Sequence, residues 1–356
     1  MKSLVKPVFR AVCAVVLCCS CSGSPGVSQE QPGQRLAEPL WVSSPSSVYD
    51  EGRYVSAVGF GADRSQAEKS ALGSLTAIFG QTVQGETKAS YRYSEAVDGG
   101  IFDSAENREI ENAVKTSFVM DALIGAEIRD YWFDGVDTHY ASAVMDKIKC
   151  GMQYSELVES NERVIRNLTE LSQDRRNTLE AYARYSLAAT IADANGVFVN
   201  VLSVLNPASA AAMRTTMKRG EDYRLAQVEI ARNIPIDVVV EGDQGSRVRS
   251  AFAGAFSAAG FGAGAGSSPY RMVVSLSLSP IELPGNSNKF IRYAVSGKLI
   301  ETKTGNEVFP FSISGREGHL SQSEAENRAI RVIEQKIRES FSAEFSAYLE
   351  SLSAGV

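Results

Sequence analysis

The sequence has few of the residues that enzymes and metalloproteins use for chemistry. Only two histidines occur, His139 and His319, and neither lies at a metal-ligand spacing from the other or from Cys150. A P-loop and a Gly-x-Ser-x-Gly elbow are both missing, and Gly59-x-Gly61 has Arg64 at the third glycine position of a phosphate-binding turn. We therefore predict no metal, no cofactor and no enzymatic activity. The sequence alone leaves open one alternative, a catalytic pair of carboxylates that only folding brings together.

Cysteines are scarce outside the N-terminus. Four of the five cysteines lie within the first 21 residues, so the rest of the chain contains only Cys150. One cysteine cannot form a disulfide framework. We place Cys150 at the end of a predicted strand and expect it to be a buried, unpaired thiol.

Long apolar runs and an excess of positive charge are missing as well. A membrane-spanning helix needs about 20 apolar residues, whereas the nearest later run, 196–205, has about ten and contains Asn200. We therefore predict no transmembrane helix after the N-terminal segment. The formal net charge of −6 weighs against a nucleic-acid partner, which requires a basic face.

The N-terminal segment has the pattern of an export signal. Lys2, Lys6 and Arg10 precede an apolar stretch at 11–19, and small residues follow that stretch. A basic start, a short apolar stretch and small residues after it are typical of a secretory signal peptide. The sequence therefore predicts that the chain is exported.

A cysteine near residue 21 is the predicted site of lipid attachment. Residues 17–21, Leu-Cys-Cys-Ser-Cys, resemble the bacterial lipobox, in which a small residue precedes the lipid-bearing cysteine. Ser20 favours Cys21, with Cys19 as the alternative; an ordinary signal peptide with incidental cysteines also stays open. Several acyl chains, such as palmitate, hold a protein stably on a membrane. Residues 22–39 are rich in Ser, Gly, Pro and Gln, which predicts a flexible tether.

The first folded segment begins with a strand and a helix. Residues 54–61 are typical of a strand that ends in glycines, and Asp63 with Gln66 forms a capping box. The apolar spacing that follows predicts a helix up to about Phe79. We further predict one long strand at 81–97, and a hairpin of 126–133 with 139–145.

The densest aromatic cluster, Tyr131-Trp132-Phe133, lies in this hairpin. Side chains alternate along a strand, so Tyr131 and Phe133 should share one face and Trp132 should take the other. Core packing is one interpretation of the cluster. The other makes Trp132 and Tyr131 the candidates for contact with a partner.

These residues resemble the Lpp-twenty family of bacterial outer-membrane lipoproteins. The resemblance rests on Trp41-Val42, Pro45, the strand at 54–59, the alanine-rich helix and the strand pair that contains Tyr131-Trp132. It covers about residues 38–150. It implies a small α/β module, an outer-membrane location and no known catalytic site.

The sequence pattern of the second half of the chain predicts helices followed by a second module. Apolar residues at helical spacing in 151–233 fit either one long helix or an antiparallel hairpin. The pattern of 234–353 predicts the order βαβββα, with a mobile glycine loop at 260–266. Ser323 and Glu326 offer a capping box for a last helix that has an apolar residue at every fourth position.

We therefore predict an α+β fold with two small helix-over-sheet modules joined by a long helical connector. The predicted function is that of a lipid-anchored envelope lipoprotein at the outer membrane, facing the periplasm or the cell surface. Its structural or assembly role would involve other envelope proteins, flagellar or peptidoglycan-associated. A binding module for a lipid, glycan or small ligand is the alternative, and an enzyme comes third. The predicted segments are a signal peptide at 1–20, a tether at 21–39, the modules at 40–150 and 234–353, and the connector at 151–233.

Overall fold

The computed structural model describes residues 37–80, Tyr93, Val97 and 123–353. The predicted signal peptide, the candidate lipid sites Cys19 and Cys21 and most of the tether lie outside the described residues. The structure combines helices with two sheets, one of three strands and one of four. This arrangement confirms the predicted α+β class.

The first sheet has the order β1-β3-β2 and is antiparallel throughout. The hairpin prediction is confirmed, and its turn is closed by Asp134, whose Oδ1 accepts from the amides of Val136, Asp137 and Thr138 at 2.8–3.1 Å. The chain enters this sheet through a short helix and a 3-10 turn. The elements are α1 (Leu40–Ser43), the 3-10 turn (Pro45–Ser47), β1 (Tyr54–Gly61), α2 (Arg64–Ile78), β2 (Glu127–Phe133) and β3 (His139–Asp146).

Helix α2 begins where its capping residues predict. The Asp63 carboxylate accepts from the Gln66 amide N–H at 2.8 Å, and the Gln66 side chain donates back to Asp63 at 2.9 Å. Ala67, Ala71 and Leu75 form the buried face of the helix. The cap thus sets the helix start, and the apolar spacing sets the face that packs on the sheet.

The predicted long strand at 81–97 is wrong at the two positions that the structure describes within it. Tyr93 and Val97 are both helical and fully buried. A four-residue spacing places two apolar side chains on one face of a helix and equally on one face of a strand, so the sequence pattern did not distinguish the two. The remainder of 81–97 lies outside the described residues.

The helical segment forms an antiparallel hairpin, which was one of the two predicted alternatives. Asn161 contacts Asn195 and Arg184 contacts the carbonyl of Asn167, so the two long helices run in opposite directions. The first helix starts four residues before the predicted boundary, because the Asp146 carboxylate caps it by accepting from the amides of Ile148 and Lys149. The helices are α3 (Lys147–Thr169), α4 (Leu179–Leu205), α5 (Pro207–Thr216) and α6 (Gly220–Asn233).

Helix α4 belongs to the cores of both modules. Its C-terminal half packs with α3 against the first sheet through residues such as Phe198 and Leu202. Its N-terminal end packs on the second module, where the Leu179 amide donates to the Tyr270 hydroxyl at 3.2 Å and the Tyr182 hydroxyl donates to the Ala259 carbonyl at 3.0 Å. The segment is thus a packed part of the protein and not a free spacer.

We expected no later segment to be long and apolar enough to cross a membrane, and this expectation is wrong. Within the described residues, α4 is long and apolar enough, with 27 residues and a mean hydropathy of 1.5 in its best window. The sequence showed only the run at 196–205, because Glu180, Arg184 and Asp193 interrupt the earlier part. However, 61% of that window is buried inside the protein, as in a core helix.

The second module has the predicted order βαβββα. Its sheet has the order β4-β5-β6-β7, with β4 and β5 parallel and the other pairs antiparallel. Its helices cover one face of the sheet and form the apolar core there. The elements are β4 (Ile236–Glu241), α7 (Arg247–Ala258), β5 (Tyr270–Ile281), β6 (Lys289–Glu301), β7 (Glu307–His319), α8 (Gln322–Lys336) and α9 (Ser342–Ser351).

The glycine loop that precedes β5 is tied to β4. The Ile236 amide donates to the Gly262 carbonyl at 3.0 Å, and the Gly264 amide donates to the Ile236 carbonyl at 2.9 Å. A Cβ on Gly264 would lie 2.2 Å from the Ser268 Oγ and 2.6 Å from the Asp237 amide nitrogen. Gly264 therefore allows the loop to pack closely on the start of β4.

The last helix differs from the prediction in its cap and in its regularity. Ser321, and not Ser323, is the N-cap, and its hydroxyl accepts from the Glu324 amide at 3.3 Å. The helix starts earlier because β7 already ends at His319. A π turn, Ile337–Phe341, then separates α8 from α9.

The π turn explains how a four-residue repeat stays on one side of the last helix. In an α-helix of about 3.6 residues per turn, each four-residue step advances about 40° around the axis, so the apolar stripe would wrap away from the sheet. A π turn holds one more residue than an α turn and therefore rotates the stripe back. The members of the repeat are all buried: Ala325, Ala329, Ile333, Ile337, Phe341, Phe345 and Leu349.

Candidate functional site: an aromatic row on the first sheet

The two faces of the first sheet have different surroundings. One face is the inner face, where Ala57, Ala141 and Met145 pack against α2 and α3. The other is the outer face, where Trp41, Tyr49 and Val144 form a small cluster of their own. Within the part of the chain that the structure describes, the outer face is thus covered only in part, by the short N-terminal segment.

A β-bulge in β2 decides which aromatic side chain reaches the outer face. Ile128 pairs with Ala143 and Asp130 pairs with Ser142, so Arg129 is the extra residue. Strict alternation from Ile128, which faces inward, would turn the side chain of residue 132 inward as well. The bulge reverses this phase and places Trp132 on the outer face.

The outer face carries a row of three aromatic side chains, one from each strand. Phe60 of β1 and Trp132 of β2 both pair with Tyr140 of the central strand β3. The ring centroids of Phe60 and Tyr140 are 6.4 Å apart, and those of Trp132 and Tyr140 are 5.1 Å apart. Such cross-strand pairs stabilise a sheet. Phe60 is nevertheless 66% exposed, so the aromatic row is open to its surroundings at one end.

Tyr131 and Trp132 lie on opposite faces and do not form one site. Tyr131 pairs with Ala141 on the inner side, at an edge that α2 leaves open. Its ring stacks on His139, its hydroxyl is hydrogen-bonded to the His139 Nδ1, and the Arg64 guanidinium lies 4.8 Å from its centroid. The aromatic cluster seen in the sequence is therefore divided, and only Trp132 belongs to the aromatic row.

A hydrogen-bond ring fixes the N-terminal segment beside the aromatic row. The Tyr49 hydroxyl donates to the Asp130 carboxylate and accepts from the Ser142 hydroxyl at 2.6 Å, while the Asp130 amide donates to the Ser142 Oγ at 3.1 Å. Burial, followed by the bond to Asp130, raises the pKa of Tyr49 to about 12. Trp41 packs in the same cluster, so the entry of the chain is held on the outer face.

A second feature is a polar cleft between α3, α5 and α6. Its cavity volume is about 770 Å³, and Glu162, Arg166, Tyr185, Lys218 and Tyr223 are among its lining residues. Burial raises the pKa of Glu162, and it also raises the pKa of Tyr223 to about 12, with a contribution from the charge of Glu162. The cleft thus combines a half-buried carboxylate with two tyrosine rings.

A buried hydrogen-bond chain connects this cleft to the first core. The Tyr93 hydroxyl donates to the Asn161 Oδ1 at 2.8 Å, and the Asn161 Nδ2 donates to the Asn195 Oδ1 at 2.7 Å. The Asn195 Nδ2 then donates to the Glu162 Oε1 at 2.9 Å. Sequence reasoning missed this chain, although Asn161 interrupts the apolar stripe of α3 and could have been the signal.

In the described ranges, no group of three His, Cys, Asp or Glu residues could hold a metal ion. Cys150, the one cysteine among the described residues, is a buried free thiol, as predicted. It lies in the first turn of α3, not at a strand end, and burial raises its pKa to about 11.

The second sheet has an exposed face and a free edge. Within the described part of the chain, β7 pairs with β6 alone, so its other side has no strand partner. The face away from the helices carries a group of small exposed side chains on its three longer strands: Ser275, Ser277, Ala294, Ser296, Ser312 and Ser314.

The comparisons with known proteins find similar structures but no similar family. No protein-family model matches the chain, and no curated protein matches it. The resemblance to the Lpp-twenty family therefore remains an interpretation of the sequence.

Three solved structures are similar to this chain. A minor lipoprotein from Acinetobacter baumannii has 12% identity and a TM-score of 0.25, over 33% of this chain and 91% of that one. A Caulobacter crescentus CB15 protein described as a lipoprotein has 21% identity and a TM-score of 0.23, over 34% and 90%. The secreted protein HP1454 from Helicobacter pylori has 11% identity and a TM-score of 0.37, over 80% and 97%. One of the three is thus a lipoprotein, one is described as a lipoprotein and one is secreted, while the role of this chain has to follow from its own residues.

Proposed function

We propose that this protein is a lipid-anchored lipoprotein of the bacterial outer membrane, facing the periplasm or the cell surface, with an assembly role and no catalytic one. The leader and Cys21, or Cys19 as the alternative, support the anchor. The observation that carries the assembly role is the free edge of β7. Its partners are other envelope proteins, flagellar or peptidoglycan-associated.

The free edge of β7 suits the addition of a strand from a partner. An edge strand presents unpaired backbone N–H and C=O groups, which an extended segment can pair with. Pro310 lacks an N–H, and Arg316 and Glu317 place charges near the other end, so the usable stretch is limited. The residues between, 311–315, match the usual strand length of about five or six. The edge is thus long enough for one specific partner strand and guarded against indiscriminate pairing.

A photo-crosslinking amino acid at Ser314, on β7, is expected to give one discrete adduct in intact cell envelopes. The matched control is the same substitution at Ser277, which is also exposed but lies on β5, two strands away from β7. Strand addition predicts an adduct at Ser314 and little at Ser277, measured by a band shift and identified by mass spectrometry. Equal adducts at both positions would indicate binding to the face, and no adduct at Ser314 would refute the assembly role of this edge.

Simultaneous replacement of Cys19 and Cys21 by serine is expected to release the protein from membranes. Both candidate lipid sites are then lost, and a flexible tether offers no other anchor. Detergent phase separation of whole cells measures the effect, with Cys150→Ser as the control that keeps the anchor. Retention of the double variant in the detergent phase would contradict lipid anchoring.

A small polar ligand in the cleft is the second candidate function. A volume of about 770 Å³ lies within the usual range of ligand sites, about 300–1,000 Å³. Its polar lining favours a ligand that forms hydrogen bonds.

A further inference from the structure

We infer that the aromatic row of Phe60, Tyr140 and Trp132 lies in the headgroup region of the membrane that holds the lipid anchor. This inference rests on the proposed anchor and adds the orientation of the first module. The aromatic row would thus contact a lipid surface. The free edge of β7 remains available for a protein.

The path of the chain places the anchor on the side of the aromatic row. About 16 residues separate Cys21 from residue 37, and a flexible chain of that length has an end-to-end distance of about 20–25 Å. The tether ends at α1, where Trp41 packs in the same cluster as Trp132 and Tyr140. Leu40, the first residue of α1, is 69% exposed. A short tether that enters on the outer face holds that face towards the membrane.

The chemistry of the aromatic row fits a membrane interface. Trp and Tyr are enriched at headgroup level because one end of each side chain is apolar and the other is polar. Among the described residues, none accepts from the Trp132 Nε1 or bonds the Tyr140 hydroxyl, and both side chains are partly exposed. Phe60 supplies an exposed apolar ring at the end of the row.

The size of the aromatic row favours a lipid surface over a protein. A typical protein interface buries about 800 Å² on each partner. Three aromatic side chains expose about 450–750 Å² when fully accessible, and part of Trp132 and Tyr140 is already covered. The row alone is therefore too small for a stable protein complex. It is large enough to orient a module that a lipid already holds on the membrane.

Tryptophan quenching tests the inference directly, because the chain has only two tryptophans. In a Trp41→Phe variant, Trp132 is the only remaining tryptophan. The lipidated full-length chain is reconstituted into phosphatidylethanolamine and phosphatidylglycerol vesicles, with or without bromine on the upper part of the acyl chains. We expect bromine to reduce the Trp132 emission at least twofold, and Phe60→Ser to weaken this quenching.

The matched control moves the fluorophore away from the aromatic row. Trp41→Phe, Trp132→Phe and Leu225→Trp together place the only tryptophan at an exposed position on α6, and its emission should not change with bromine. If the chain floats with the vesicles but Trp132 is not quenched, the inference is wrong and the anchor stands. If the chain does not float with the vesicles, the proposed anchor fails, and the inference fails with it.

Discussion

Replacement of Phe341 by alanine is expected to lower the free energy of unfolding by about 3–5 kcal/mol. Phe341 is fully buried in the π turn of the last helix. Its ring contacts rings from α7, β7 and α9, with centroids 4.9 Å from Phe252, 5.2 Å from Phe256 and 5.1 Å from Phe311. Most of these contacts are edge-to-face, the favoured geometry. Truncation leaves a cavity that three elements cannot fill together.

Urea unfolding followed by far-UV circular dichroism measures this effect. The matched control is Gly254→Ala on α7, the helix that carries Phe252 and Phe256. A Cβ there meets nothing within 4 Å, so alanine should stabilise the helix by about 0.5–1 kcal/mol. A loss below 1 kcal/mol for Phe341→Ala would show that these rings do not form the centre of the second core.

Elements with local signals in the sequence were predicted well. The Asp63 cap, the Asp134 turn and the βαβββα order depend on residues that are neighbours along the chain, and the structure contains all of them. The N-cap of α8 was misplaced by two residues because Ser321 and Ser323 are both acceptable caps. Only the end of β7 decides between them, and strand ends carry weaker local signals.

The features that define the candidate site depend on tertiary contacts, which local patterns do not contain. The face taken by Trp132 follows from the bulge at Arg129, and no pattern within β2 indicates it. The bond between Asn161 and Asn195 joins residues 34 positions apart on two helices. The π turn likewise follows from the need to keep Phe341 and Phe345 on the sheet. Sequence reasoning therefore found the aromatic residues and the division of Tyr131 and Trp132 between the two faces, but not which face each of them takes.

Replacement of Gly59 by alanine is expected to disrupt the first module, at a cost of about 3 kcal/mol or more. A Cβ on Gly59 would lie 2.0 Å from the Ala71 amide nitrogen and 2.4 Å from the Ser70 carbonyl carbon. Both are backbone atoms of α2, so no side chain can move aside and the helix itself must leave the sheet. Helix α2 also contributes Ala67, Ala71 and Leu75 to the core, so a shift of the helix opens the whole inner face.

The same contact explains why glycine occurs in this strand at all. The space that a phosphate would need at Gly59 is filled by the backbone of α2, and a Cβ on Gly61 would likewise lie within 3 Å of Ala67 and Gln66. The two glycines thus allow the helix to pack closely on the sheet, and this packing explains their presence without a bound nucleotide.

Gly73→Ala on the exposed side of α2 is the matched control, because a Cβ there meets nothing within 4 Å. Tryptophan fluorescence during urea unfolding reports this module, since Trp41 and Trp132 both lie in it. We expect Gly59→Ala to unfold at much lower urea than the unaltered chain and Gly73→Ala at slightly higher urea. Equal midpoints for the two variants would show that α2 does not lie this close to β1.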